Sequence, residues 1–276
     1  MSENTSTVIE IQKIIGSSWW ITIQMLYLMG KFSDKSCVFL PISFGPVDEK
    51  TYQEQSETAS LTTLSWYCTE EKCVFQPPPI MSAKDFFEYL KDCIENSERL
   101  SVIPIRLLTN TGISHANMLI YDKINNTLER FEPHGQITLD IYNPRLLDRS
   151  LPAMFEKNIT GKPVKYIAPQ AFCPAKGPQV LEEIAREKMG VVFNIGKGLC
   201  SVWSFIYADI RLSYPDKSPS EIIDYISSQV TTDKNLYHYA ENIIVAIWKM
   251  SEKLRVAKTE DEIREVIMET VENLKM

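Results

Sequence analysis

A chain of 276 residues that is 44% hydrophobic and 24% charged can build a sizeable core without disulfides or metals to hold it. Its net charge of -7 argues against nucleic acid as the main ligand, because phosphate binding wants an excess of lysine and arginine. No apolar run approaches the roughly 18 residues that span a bilayer, and the polar start MSENTSTVIE has no signal-peptide core. No membrane partner is therefore expected. The cysteines at 37, 68, 73, 93, 173 and 200 have no small-domain disulfide spacing, so a reducing, cytoplasmic compartment is expected. Cys68-x4-Cys73 looks like half a metal site, but no second Cys or His pair lies at ligand spacing. It reads as a thiol pair, and no metal or cofactor is expected.

In chain order, residues 8–30 read as a helix interrupted at Gly16-Ser17-Ser18, with Trp19 and Trp20 as core. Cys37–Leu40 is strand-like and ends at Pro41. Residues 61–76 suggest a short hairpin. Ser82 caps a helix over about 83–97, with Asp85 in its first turn. A strand at 102–108 precedes two β-rich runs, 115–122 and 127–133, around an Asn-Asn turn, which read as an antiparallel hairpin. Residues 136–160 look irregular or helical. Short strands are expected at 164–167 and 191–193, with a helix over 178–188 opened by Pro178. Beyond Cys200 the pattern is helical: 201–213, 221–230, 236–256 and 260–274. Strands and helices mixed, then helices alone, favour an α+β fold over a doubly wound parallel sheet.

Three residues carry candidate chemistry. If a four-residue loop at 123–126 pairs Asp122 with Thr127, His115 faces His134, and Glu132 lies diagonally on the same face. A carboxylate there can fix the imidazole tautomer that a general base needs. Cys200 sits where a glycine-rich turn (Gly196, Gly198) enters an apolar helix. A helix N-terminus favours thiolate, and the glycines leave backbone N–H groups for an oxyanion. Each signal alone has a bland reading: a structural histidine, a buried small hydrophobe, a solvated glutamate. Only three histidines occur, however, and two bracket one hairpin. His134 is the alternative base; His238, after the cysteine in a helix, lacks a strand context.

The segments His115–Asp122, Arg130-Phe-Glu-Pro133 and Gly198-Leu-Cys200-Ser-Val-Trp203 resemble the adenain and SUMO-protease superfamily, clan CE. The likeness covers roughly residues 100–215. It is closest to thiol-protease-like proteins of large DNA viruses, with similar phrases at Arg130–Gly135 and Arg211–Pro215. The resemblance implies an adenain-like, papain-related core: a central helix carrying the cysteine and a mixed sheet carrying His and Glu. It implies His115 as base, Glu132 as its orienter and Cys200 as nucleophile of a peptidase that works through a thioester. The implied partner is a protein substrate, either a ubiquitin-like conjugate or a viral polyprotein, met in host cytoplasm or virion. The family's oxyanion glutamine lies six residues before the cysteine, where this chain has Asn194; Gln179 is the alternative donor. On this reading 1–99 is an N-terminal accessory region, 100–215 the protease core and 216–276 a helical C-terminal region. The rivals are an acyltransferase with the same three residues and a non-catalytic protein that binds a ubiquitin-like partner or a virion component.

Overall fold

The computed structural model describes residues 18–32, 34–39, 64–77, 82–110, 112, 114–136, 142–188, 199–229 and 233–274. The chain is a mixed α+β structure built on a seven-stranded sheet. Its strands are β1 (Cys37–Val38), β2 (Leu64–Cys68), β3 (Cys73–Gln76), β4 (Leu100–Thr109), β5 (Ser114–Asp122), β6 (Thr127–Phe131) and β7 (Lys165–Ile167). The order is β3-β2-β4-β5-β6-β7, with β1 also pairing β4. Strands β1 and β2 run parallel to β4, as β7 does to β6, whereas β2–β3, β4–β5 and β5–β6 are antiparallel. Strands from the first 99 residues thus share a sheet with β4–β7.

Eight helices are present among the described residues: α1 (Ser18–Phe32), α2 (Ala83–Asn96), α3 (Pro144–Phe155), α4 (Pro178–Lys188), α5 (Leu199–Ser213), α6 (Pro219–Gln229), α7 (Asp233–Leu254) and α8 (Glu260–Asn273). Local signals start several of them. Ser82 accepts from the Asp85 N–H at the start of α2, and Thr259 and Glu262 form a reciprocal capping box on α8. Alternation along β4 and β5 divides the core between the two faces of the sheet. Leu100, Val102, Met118 and Ile120 pack with α1, α5, α6, α7 and α8. Ile103, Ile105, Leu107, Leu119 and Tyr121 pack with α2 and α3. Both tandem tryptophans are core, Trp19 and Trp20 being almost fully buried.

Most expected elements appear within a residue or two of their predicted limits. The expected strand at 191–193 and the N-terminal part of the first helix lie outside the described residues. The cysteine reading needs correction. Cys68 and Cys73 are opposite each other in the β2–β3 register and are disulfide-bonded. Cys37 is bonded to Cys93, tying β1 to α2. The hairpin register sets Cys68 opposite Cys73, and the packing of α2 against β1 brings Cys93 to Cys37; both bonds remove the ground on which a reducing compartment was expected. Cys173 and Cys200 are the free thiols. None of the described helices is long and apolar enough to cross a membrane.

Candidate active site

The β5–β6 hairpin has the expected register: Asp122 pairs with Thr127, and the turn ends at Asn126 in a left-handed conformation (φ 50°). Continuing that ladder past Met118–Phe131 sets Glu132 beside Asn117 and His134 opposite His115. The two imidazole rings lie 4.9 Å apart. His115 Nε2 is 2.7 Å from Glu132 Oε1. The His134 N–H donates to the same oxygen at 3.1 Å. Glu132 Oε2 accepts from Asn117 Nδ2 at 3.1 Å, the Tyr142 hydroxyl at 3.1 Å and Arg130 at 3.4 Å. A buried carboxylate is tolerable only when its lone pairs are filled in this way.

The turn after β6 is locked by two glycines. Gly135 (φ +86°) and Gly177 cross so closely that a Cβ on either would collide with the other's backbone. This crossing docks the start of α4 against the site, with the Gly177 N–H donating to His134 O at 2.8 Å and the Gln179 N–H to Pro133 O at 3.2 Å.

Cys200 is the second residue of α5 and is buried. The Ala116 N–H points at its sulfur, 3.4 Å away, so the residue after His115 contacts the thiol across 84 residues of sequence. Three buried carboxylates hold α5 in place. Asp209 is paired with Lys31 of α1 at 2.9 Å. Glu129 of β6 accepts from Tyr207 at 2.8 Å and Arg211 at 2.9 Å. Glu182 of α4 accepts from the Trp203 indole at 2.7 Å and is paired with Arg186. Phe131 stacks on Tyr207 with ring centroids 4.3 Å apart.

Electrostatics separate the candidates. Burial pulls the His115 pKa down, but the Glu132 charge and hydrogen bonds to Cys200 and Glu132 outweigh it and raise the value to about 10. Burial likewise opposes ionisation of Glu132, yet the His115 charge, hydrogen bonds from both histidines and the Arg130 guanidinium hold it well below the usual carboxylate range. The buried Cys173 thiol is pushed up to about 12, chiefly by desolvation, which makes it a poor rival nucleophile.

His115 thus contacts Glu132, and the residue after His115 contacts the Cys200 sulfur. Gln179 lies at the start of α4, where its Nε2 donates to Glu183 of the same helix at 3.1 Å. Asn194, with Gly196 and Gly198, lies outside the described residues. His238 is exposed and pairs with Glu241 at 3.2 Å. Asn117, Arg130 and Tyr142 were not anticipated. Two of them had a legible signal: Asn117 and Arg130 alternate with His115 and Glu132 on one face of otherwise apolar strands.

No family model matches this chain. A putative ankyrin repeat protein, L371, of Acanthamoeba polyphaga mimivirus is 32% identical over 149 residues. The alignment covers 50% of this chain but only 19% of that protein. Its name describes ankyrin repeats, so it lends no support to the expected likeness to viral thiol proteases. Two solved structures are distantly similar at 13% identity. The Chlamydia abortus effector protein ChlaDUB has a TM-score of 0.40 over 92% of this chain and 99% of that one. The Legionella pneumophila effector protein RavZ has a TM-score of 0.42 over 96% and 76%.

Proposed function

We propose that this chain is a cysteine peptidase with its chemistry in residues 100–215, acting on a ubiquitin-like conjugate or a viral polyprotein. The observation that supports it is the contact of three residues remote in sequence: a buried carboxylate on the imidazole, and the imidazole beside the thiol. In the reacting step the sulfur attacks as thiolate, its charge offset by the imidazolium of His115. The sulfur bonds to the scissile carbonyl carbon, placing a negative charge on oxygen. Collapse breaks the C–N bond, and the departing amine takes the His115 proton. Water then attacks the thioester and gives one proton to His115, and collapse breaks the C–S bond to release the carboxylic acid, which ionises in solvent, and the Cys200 thiolate. Glu132 keeps its charge throughout and holds the ring.

Incubation of the full-length chain with a panel of ubiquitin-family proteins bearing a C-terminal electrophile tests this. One member should form an adduct that peptide mapping places on Cys200, and Cys200→Ala should form none. Adducts on Cys173, or none with any member, would count against the reading.

Asn194 is our choice for the oxyanion donor, on its spacing before Cys200 and because the Gln179 amide donor is already engaged by Glu183. Asn194→Ala should lower kcat by about 10²–10³-fold with little change in KM. Gln179→Ala should stay near wild type, and Asn194→Gln should retain part of the activity. The opposite pattern assigns the role to Gln179.

A further inference from the structure

Asn117 sits between two buried charges of opposite sign. Asn117 and Arg130 are each 1% exposed, and Glu132 is buried as well. A guanidinium carries only donors and a carboxylate only acceptors, so an amide between them must turn its oxygen to the arginine and its amino group to the glutamate. The contacts have that order. Arg130 Nη1 donates to Asn117 Oδ1 at 2.6 Å, and Asn117 Nδ2 donates to Glu132 Oε2 at 3.1 Å. The direct contact from Arg130 to Glu132 is longer, 3.4 Å, and uses the same Nη1. The opposite edge of the guanidinium is anchored. Its Nε and Nη2 lie 3.0 and 2.9 Å from Asp148 Oδ1 of α3, and Nε also donates to the Tyr166 hydroxyl of β7 at 3.2 Å.

An arginine and a carboxylate that are free to meet close to about 2.8 Å, often through two parallel bonds. Opposite charges attract strongly where water is excluded. Glu132 is nonetheless committed elsewhere, with its Oε1 on His115 Nε2 at 2.7 Å. We infer that Asn117 is a positioning residue, a spacer that keeps Arg130 from drawing Glu132 off His115. This inference rests on the peptidase reading above. Asn117 touches no reacting atom and acts through Glu132. With the spacer in place, Arg130 helps to keep Glu132 ionised without becoming its main partner. Without it, Arg130 Nη1 loses its acceptor, and Glu132 Oε2 is the carboxylate oxygen it already touches. A buried donor left unfilled is costly, so the pair closes. Among the described residues, the titratable groups that face His115 are Glu132 and His134 from the turn after β6 and Cys200 from α5. Glu132 is also faced by Tyr142, which donates to Oε2 at 3.1 Å.

NMR titration of the imidazoles in the full-length chain tests the spacer without requiring turnover, and only three histidines need assignment. Burial lowers the His115 pKa, but the Glu132 charge and hydrogen bonds to Cys200 and Glu132 raise it to about 10. Asn117→Leu keeps the volume and removes the bridge. The carboxylate then moves toward Arg130, the imidazolium loses its counter-ion, and the His115 midpoint should fall by about 1–2 pH units. Adding Arg130→Met removes the pull and should return the midpoint to within about 0.5 unit of wild type. A residue that only filled space would not be rescued by deleting a second buried group. Asn117→Ser, which leaves a short hydroxyl and no bridge, should lower the midpoint by about 1 unit and decides the matter if the double variant does not fold. An unmoved midpoint in Asn117→Leu or Asn117→Ser, or a fall that Arg130→Met does not reverse in the folded double variant, overturns the spacer. Failure of the peptidase reading looks different: the His115 midpoint moves as stated, but no electrophile forms an adduct at Cys200.

Discussion

Cys200→Ala and His115→Ala are each expected to lower kcat/KM by about 10⁴-fold or more, with the fold intact by circular dichroism. Nucleophile and base act as one unit, so the double variant should be little worse than either single one. Glu132→Gln should keep measurable activity, because it acts through His115 and touches no reacting atom. Its signature lies in the pH profile. The His115 pKa is raised to about 10 from its ordinary 6.5, with the Glu132 charge the largest cause raising it. The active ion pair needs His115 protonated, so activity should persist toward pH 10 and then fall. Without the Glu132 charge the imidazolium deprotonates earlier, and the alkaline limb of kcat/KM should move to lower pH. An unmoved limb contradicts the orienting role. Full activity in His115→Ala transfers the base role to His134, whose Nδ1 is 3.5 Å from the same Glu132 oxygen.

The largest expected loss of stability lies away from these reacting groups. Glu129 is 1% exposed and pairs with Arg211, itself 3% exposed. Glu129→Ala strands a guanidinium in the core and should cost about 3–5 kcal/mol in urea unfolding, as breaking buried pairs does. Glu129→Leu with Arg211→Met fills similar volume without charge and should recover most of that loss. A cost below about 1 kcal/mol for Glu129→Ala would mean that water reaches Arg211.

The hairpin that places His115 beside Glu132 was readable because it is local. A four-residue turn fixes the register, and alternation then fixes the face. Helix α5 was equally plain from its apolar run after a glycine turn. The sequence was silent where distant segments meet. The Cys37–Cys93 bond joins residues 56 apart, and the Lys31–Asp209 pair residues 178 apart; no spacing rule links either. Cys68 and Cys73 were within reach of the same register argument, since an expected hairpin over 61–76 sets such residues near one another.

Helix α5 is tethered from three directions, to α1 through Asp209, to β6 through Arg211 and Tyr207, and to α4 through Trp203. Displacing a reacting group by about 1 Å can cost on the order of 10²-fold in rate, so the aim of the sulfur is inherited from ion pairs far from it. On the proposed reading, activity can therefore be lost with His115, Glu132 and Cys200 unchanged. A natural variant that keeps His115, Glu132 and Cys200 but loses Lys31, Glu129 or Glu182 would keep the proposed reacting residues in an alignment while losing their aim.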